Sequence, residues 1–419
     1  MNDFDIAVVG AGIVGTSAAL WVQMRGHRVV LIDPAPPGSG TSAGNAGTLA
    51  TYACLPVTEP SVLRSLPHLL FDRNSSLSIS WRHALGNPRW MSSFLMNCRT
   101  RPSCEIAGNL AALLAHADRG LDPLIEEAGA QDLVVARGQL SIWSTAAGAK
   151  GAAAGLGLKR KLGVDFDELM SAEVRNLEPG LAVPVEKGVF YPKARHVRDP
   201  EALVRRFHAR FTDLGGVTLT EQVSRTRVHS DGVEISTDAQ TLAAGRVVIA
   251  AGAFSRRIAG AGTERLPLGC ERGYHLMFAG EAHRLTRPVG WSEGGFYSVP
   301  MARGLRLAGT VEIAALDAPV NPNRLAYLAR RGRELVGPLP EPTRTWLGYR
   351  PSMPDALPVL GVSPESDRII HAFGHQHLGL TLGGISGRIV ADLVEGRRPD
   401  VPIEAFRPDR RYAQLSWRR

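Results

Sequence analysis

The chain alternates short apolar runs that end on glycine with stretches of helical period. The first run, Asp5 to Val9, is apolar after its single acid and stops at Gly10, with the length and β-branched content of a buried parallel strand. A helix is predicted from about Ile13, and a second apolar strand, Val29 to Ile32, ends on Asp33. Residues 60 to 130 are mainly helical in pattern, with one helix from Glu105 to about Arg119 and a fresh start near Pro123. Leu133 to Trp143 and Gly188 to Tyr191 carry the β-branched and aromatic residues of a second sheet. A helix opened by Asp199 and Pro200 then runs to about Leu214, followed by a strand Val217 to Glu221, a meander from Val223 to Ile235 and a strand Arg246 to Ala251. From Leu266 to about Tyr349, β-rich runs (Tyr274 to Phe278, Gly295 to Pro300, Leu305 to Glu312) surround a helix near Asn323 to Val336. The last section reads as strand Arg368 to Phe373, the turn GHQHLGLTLGG and a helix Ile385 to Glu395, a second strand, glycine turn and helix.

The junction of the first strand and helix holds the strongest chemical signal. Gly10, Gly12 and Gly15 form G-x-G-x-x-G, a spacing that permits a tight turn, close approach of the backbone to a pyrophosphate, and close packing of helix on strand. The helix N-terminus offers free N–H groups and a partial positive charge to those phosphates. Asp33 stands where a carboxylate accepts hydrogen bonds from the hydroxyls of an adenosine ribose, and no arginine follows it to receive a 2′-phosphate. NADP is therefore disfavoured, while NAD and FAD both remain open. Residues 34 to 48, rich in small and turn-forming types, must run along the cofactor, where Thr41, Ser42 and Asn45 could meet its phosphate and ribityl groups. That loop is too long for a plain NAD site. Val223 sits where a backbone N–H and C=O could read an adenine edge, and the glycine turn before the last helix returns a helix N-terminus to the cofactor.

Bulk numbers narrow the class. A chain of 419 residues, 44% hydrophobic and 21% charged, suits a soluble enzyme of two domains. No run of about twenty apolar residues suggests a membrane span. The segment Trp81 to Phe94 mixes aromatic and basic residues and leaves peripheral membrane contact open, though Gly86 and Pro88 interrupt any continuous face and a covering helix is the plainer reading. The formal charge of +8 comes from 43 Arg and 5 Lys scattered along the chain, without the basic helix face or aromatic platform of a nucleic-acid binder. The N-terminus opens with Asp3 and Asp5, unlike a signal peptide. Cys54, Cys98, Cys104 and Cys270 have neither metal-ligand nor C-x-x-C spacing, which predicts no metal and fits a reducing cytoplasm.

Seven motifs in order, VVGAGIVG with Asp33, GTSAGNAG, VVIAAGAFS, ERGYHLMF, GLRLAGTVE, GYRPSMPDALPVLG and FGHQHLGLT, resemble the FAD-dependent D-amino acid oxidase and glycine oxidase family, most closely its bacterial D-amino acid dehydrogenase-like branch. The resemblance implies an α/β fold with a Rossmann-type FAD-binding domain (residues 1–85, 196–265 and 355–419) and a second α+β substrate domain on a mainly antiparallel sheet (86–195 and 266–354). It implies non-covalent FAD held by Gly10, Gly12, Ile13, Val14 and Gly15, by Asp33 and Pro34, and by the loop carrying Thr41, Ser42, Asn45, Ala46, Gly47 and Thr48. Val223, Ala251 and Gly252 would also contact it, as would the turn carrying Gly374, His375, Leu378, Gly379, Leu380 and Thr381.

By the same resemblance Arg350 matches the family arginine that pairs with a substrate carboxylate, and Tyr297 a tyrosine that helps hold it. His377 stands where glycine oxidases have arginine, which puts a glycine-like substrate in doubt. Tyr52 and His275 are weaker candidates. The implied reaction passes hydride from the α-carbon of a small amino or imino acid to flavin N5, and water hydrolyses the imine to a 2-oxo acid and ammonia. The expected electron acceptor is oxygen or a quinone-type respiratory carrier. Competing readings are an FAD dehydrogenase of 2-hydroxy acids, a glycine- or sarcosine-type amine oxidase, an NAD-dependent reductase and a non-catalytic flavoprotein.

Overall fold

The computed structural model describes residues 3–63, 77–80 and 86–412. Two large sheets organise it. The first has a parallel core in the spatial order Val217–Leu219, Val29–Ile32, Phe4–Val9, Thr241–Ile249, Ser366–Phe373. Ala7, Val8, Val30, Leu31 and Val248 are inaccessible to solvent, and burial on both faces explains why these strands read as unbroken apolar runs. Val233–Thr237 and Val223–Val228 extend the sheet antiparallel from the first half of Thr241–Ile249, and Val359–Ser363 pairs antiparallel with Ser366–Phe373.

The second sheet runs Arg344–Ser352, Gly269–Ala279, Gly304–Ile313, Phe296–Met301, Val289–Trp291, Gln139–Trp143, Lys187–Tyr191, Asp167–Met170. Its neighbours are antiparallel except where Val289–Trp291 meets Gln139–Trp143 and where Leu77–Ile79 lies beside Gly304–Ile313. Leu276, Phe278, Leu305 and Leu307 on this sheet pack with Leu328 and Leu335 of the helix Pro322–Val336. The architecture is thus the α/β arrangement expected, with a mainly antiparallel second sheet.

The C-terminal helix Gly379–Val394 is wedged between the helices Ile13–Met24 and Ala117–Glu127. Bare backbone makes this close approach feasible: a Cβ at Gly387 would lie 2.7 Å from the carbonyl carbon of Ser17, and one at Gly384 would lie 2.5 Å from Leu121 Cα. The wedge aims the helix N-terminus at the same place as the first glycine turn.

The structure redraws the sequence-based division at two points. The helices Thr100–Leu114 and Ala117–Glu127, assigned with the second domain, bury Leu110, Leu113, Leu121 and Leu124 in the core of the first sheet, against Leu382, Ile385 and Ile389. Leu77–Ile79, assigned with the first domain, pairs with the second sheet. An amphipathic pattern reports that a face is buried but not against which sheet. The expected restart at Pro123 is also absent, since Pro123 lies inside the helix Ala117–Glu127 and the break falls earlier, after Leu114. Within Trp81 to Phe94, residues 81–85 lie outside the described chain. The remainder begins the helix Pro88–Asn97, where Trp90 stacks on Phe94 and donates its indole N–H to the Ser352 carbonyl at 3.3 Å.

Candidate active site

A cavity of about 460 Å³ opens at the C-terminal ends of the parallel strands. The glycine turn forms one wall. Gly10 has φ +109°, and a Cβ there would meet the Ala250 carbonyl oxygen at 2.5 Å, while one at Gly15 would sit 1.8 Å from the Gly10 carbonyl oxygen. Gly15 therefore lies behind the wall and brings helix onto strand, whereas Gly10, Gly12, Ile13 and Val14 line the cavity. Ile13 N–H is held by Ser42 Oγ at 2.9 Å, and the N–H groups of Val14 and Gly15 have no acceptor among the described residues. A helix end with free donors at bare backbone fits an anionic diphosphate.

Asp33 and Pro34 line the cavity at the end of the second strand. The Asp33 carboxylate accepts from Ala11 N–H at 2.7 Å and Ala35 N–H at 2.9 Å, so it braces the turn on both sides and has lone pairs left for ribose hydroxyls. Val223, Ala251, Gly252, Thr41, Ser42, Asn45, His375, Gly379 and Leu380 complete this part of the wall. His375 is buried, donates or accepts through Nε2 with Ser386 Oγ at 2.8 Å, and is pushed down to about 3 by burial, so it is uncharged. The N–H groups of Gly379, Leu380 and Thr381, at the start of the C-terminal helix, have no acceptor among the described residues. Two helix ends thus converge on one cavity, a donor set suited to a dinucleotide with a ring that gains negative charge on reduction.

Besides Gly15, four more residues expected at the cofactor stand behind its wall. Gly47 and Gly374 have φ +77° and +83° and shape their turns, and Leu378 is buried in the core of the first sheet. Thr381 accepts from Ala50 N–H at 2.9 Å and so ties the last helix to the loop. Ala46 and Thr48 face a second cavity, of about 390 Å³, on the side of the second sheet. Thr41, Asn45 and Gln376 line both cavities, so the two share a wall where the loop and the last glycine turn meet.

Arg350, Tyr297, His377 and Tyr52 all line this second cavity. Arg350 comes from the strand Arg344–Ser352, opposite Glu271 in register. Its guanidinium lies over Gly273, where a Cβ would be 2.5 Å from Nη2, and Nη1 donates to the Thr310 carbonyl at 3.1 Å. Arg350 makes no salt bridge among the described residues. Burial lowers its affinity for the proton and the nearby Glu271 carboxylate restores part of it, while burial pushes Glu271 up. Thr310 holds φ +58° and Gln376 φ +48°, conformations that cost a branched or long side chain energy and concentrate at functional positions. Gln376 Nε2 and Thr310 Oγ1 are buried with no protein partner. Neither residue carried a signal in the sequence, since a left-handed non-glycine is set by tertiary contacts.

His377 lies deep in the molecule yet keeps its ring surface open to the cavity, and burial together with the Arg350 charge pushes it down to about 4. The phenols of Tyr52 and Tyr297 face each other, and burial raises both. No well-formed hydrogen bond joins them, which leaves Tyr52 Oη buried and unpartnered at the cavity. Behind Tyr52, the Tyr191 ring stacks at 4.0 Å and receives a 2.7 Å hydrogen bond from Lys159 Nζ on its hydroxyl.

His275 corrects one expectation. Its ring stacks on Trp346 at 5.0 Å and Nδ1–H donates to the Gly44 carbonyl at 3.2 Å, which turns it away from the substrate cavity to a pit beyond the loop. Burial pushes it down to about 3, so it braces the loop as a neutral donor. Among the described residues no cluster of His, Cys, Asp and Glu is placed to hold a metal ion.

Two helix termini and the acid that ends the second strand around one cavity, with a guanidinium in an adjoining one, are the features of a dinucleotide-dependent oxidoreductase with room beside its cofactor for a small anion. The chain belongs to the DAO family of FAD dependent oxidoreductases, whose model matches residues 5–393. It is 34% identical to a D-amino-acid oxidase of Bradyrhizobium diazoefficiens, over 97% of this chain and 98% of that one. The structure of glycine oxidase from Geobacillus kaustophilus matches with a TM-score of 0.78 at 24% identity, covering 99% of this chain and all of that one. That of L-proline dehydrogenase from P. horikoshii matches with a TM-score of 0.72 at 18% identity, covering 96% of each. FAD is therefore the cofactor, and the residues around the first cavity fit it.

Proposed function

We propose that the protein oxidises the Cα–N bond of a free amino or imino acid, of the D series or of the D-proline kind, to an imine; water hydrolyses the imine of a primary amino acid to a 2-oxo acid and ammonia, while that of a ring imino acid keeps its nitrogen. The observation that carries this reading is Arg350, a deep guanidinium without a salt bridge that opens into a cavity adjoining the cofactor's. A substrate carboxylate supplies the missing partner, and the planar fork fixes its orientation through two parallel hydrogen bonds. Tyr297 donates its hydroxyl to the same carboxylate. His377, uncharged at neutral pH, orients the amine by hydrogen bonding without adding a second charge beside Arg350. Val57, Trp291 and Phe296 form an apolar wall for the side chain. When bound, FAD supplies the two-electron acceptor, and the protein's contribution is to hold the α-carbon hydrogen toward it. The D configuration is supported by the 34% identical relative.

Reoxidation by oxygen or by a quinone-type carrier completes the cycle. The four cysteines are all free thiols, which suits a reducing cytoplasm, and among the described residues no helix is long and apolar enough to cross a membrane. The test is an anaerobic screen of the yellow holoprotein against D- and L-amino acids, imino acids, glycine and 2-hydroxy acids. Bleaching of the flavin by D-amino or imino acids, with one ammonia per 2-oxo acid from the amino acids, is expected. Bleaching by 2-hydroxy acids alone, with no ammonia, would overturn the proposal.

A further inference from the structure

We infer that a pit of about 190 Å³ on the far side of the loop Ala43–Asn45 is a binding site for a small multivalent oxyanion, of the phosphate or polycarboxylate class. Four arginines, Arg198, Arg303, Arg306 and Arg344, line it together with two acids, Asp199 and Glu201. Arg306 forms the floor and is only 8% exposed. Its Nη1 donates to the carbonyls of Ala43 at 2.9 Å and Asn45 at 2.6 Å, and its Nε is buried with no acceptor. Burial and the like charges of Arg344 and Arg303 push Arg306 down to about 10, with Asp199 and Glu201 opposing.

Both acids have other work. Asp199 accepts from Ala202 N–H at 3.0 Å as the cap of the helix Pro200–Asp213, and its other oxygen lies 3.8 Å from Arg303 Nε. Glu201 pairs with Arg205 at 3.5 Å. Arg198, Arg306 and Arg344 have no carboxylate partner among the described residues. A buried arginine crowded by like charges is costly unless an anion joins them, and guanidinium forks favour an oxyanion that accepts several bonds at once. With four arginines against two acids, the pit carries a net formal charge of +2.

Its position gives occupancy a consequence. Arg306 and His275, both on the pit wall, hold the three consecutive carbonyls of Ala43, Gly44 and Asn45, and Asn45 lines the cofactor and substrate cavities on the other side. A bound oxyanion would fix Arg306 and stiffen the loop.

The test is calorimetric titration of the FAD-loaded protein with inorganic phosphate and, separately, citrate, at constant ionic strength set by sodium chloride. One saturable site is expected, with the tighter of the two ligands identifying the source. The double variant Arg198→Ala/Arg344→Ala, altered only at the exposed rim, should weaken binding at least tenfold while leaving the flavin absorbance spectrum unchanged. Arg306→Gln risks the loop itself, so the rim pair decides. No saturable heat with either ligand would overturn the inference, and so would equal affinity in wild type and double variant, which would mean an adventitious ion only.

Discussion

Replacing Asp33 with alanine removes two supports at once. The carboxylate accepts from Ala11 N–H at 2.7 Å and from Ala35 N–H at 2.9 Å, so the substitution strands both donors beside the glycine turn. Hydrogen bonds to a charged acceptor contribute roughly 1.5–3 kcal/mol each, which puts the loss of stability in the cofactor-free protein at about 3–6 kcal/mol. Against a typical total of about 5–15 kcal/mol, that is a large share. The cofactor then loses its ribose acceptor, a further ~1.5–3 kcal/mol, or about 10- to 150-fold in the FAD dissociation constant. Asp33→Asn separates the two effects. An amide offers one acceptor oxygen, and its NH₂ group confronts the second backbone donor, so about half of the stability loss should remain. Guanidinium unfolding of the cofactor-free protein, followed by tryptophan fluorescence, measures the first effect, and FAD titration measures the second. An Asp33→Ala protein that unfolds at the wild-type midpoint, or that keeps wild-type FAD affinity, would refute the bracing role or the ribose role respectively.

Gly273→Ala places a Cβ 2.5 Å from Arg350 Nη2, so it should displace the guanidinium and raise KM at least tenfold while thermal stability falls by only about 1 kcal/mol, the flexible side chain giving way; unchanged KM would mean that Arg350 is not poised over Gly273 in the working enzyme. His377→Ala should change the ranking of substrates by kcat/KM and leave the flavin spectrum nearly intact, and an unchanged ranking would return His377 to a packing role. Acid should destabilise the fold through His196, His275 and His375, held near 4, 3 and 3 by burial. Because their folded affinities for the proton lie below the ordinary value near 6.5, the unfolded chain takes up protons first as pH falls, and stability is complete above about 6.5 and declines below it by up to ~1.4 kcal/mol per pH unit for each ring. Denaturation midpoints that stay level from pH 7 to pH 5 would contradict that burial.

The parts of the fold legible in the sequence are those fixed by local chemistry. Gly10, Gly12, Gly15 and Asp33 sit in one unit of strand, turn, helix and strand, and each is needed there for a reason that operates within that unit. The pocket assembled by Arg350, Tyr297, His377 and Tyr52 was legible only through the ordered motifs, since these positions are far apart in the chain. What could not be read depends on packing. The helices Thr100–Leu114 and Ala117–Glu127 show an apolar stripe in either setting, and Gly120 and Gly384, which let one of them lie against the last helix, look like any other glycines. Gln376 and Thr310 hold left-handed backbone where tertiary ties meet, Gln376 N–H donating to the Pro351 carbonyl and Arg350 to the Thr310 carbonyl. His275 drew notice as a histidine in a motif, but its stacking on Trp346 directs it to the pit.

The central assignment is that Arg350 holds the carboxylate of an amino acid beside the flavin, and the most direct measurement is the rate of anaerobic flavin reduction at subsaturating substrate in wild type, Arg350→Lys and Arg350→Ala. Loss of the charge-assisted pair costs on the order of 2–5 kcal/mol when the partner charge stays buried and unpaired, so Arg350→Ala should be slower by about 30- to 5,000-fold. Arg350→Lys should recover only part, because an ammonium offers a point charge in place of a planar fork. Equal rates in the wild type and Arg350→Ala would contradict the assignment and leave the substrate carboxylate without its anchor.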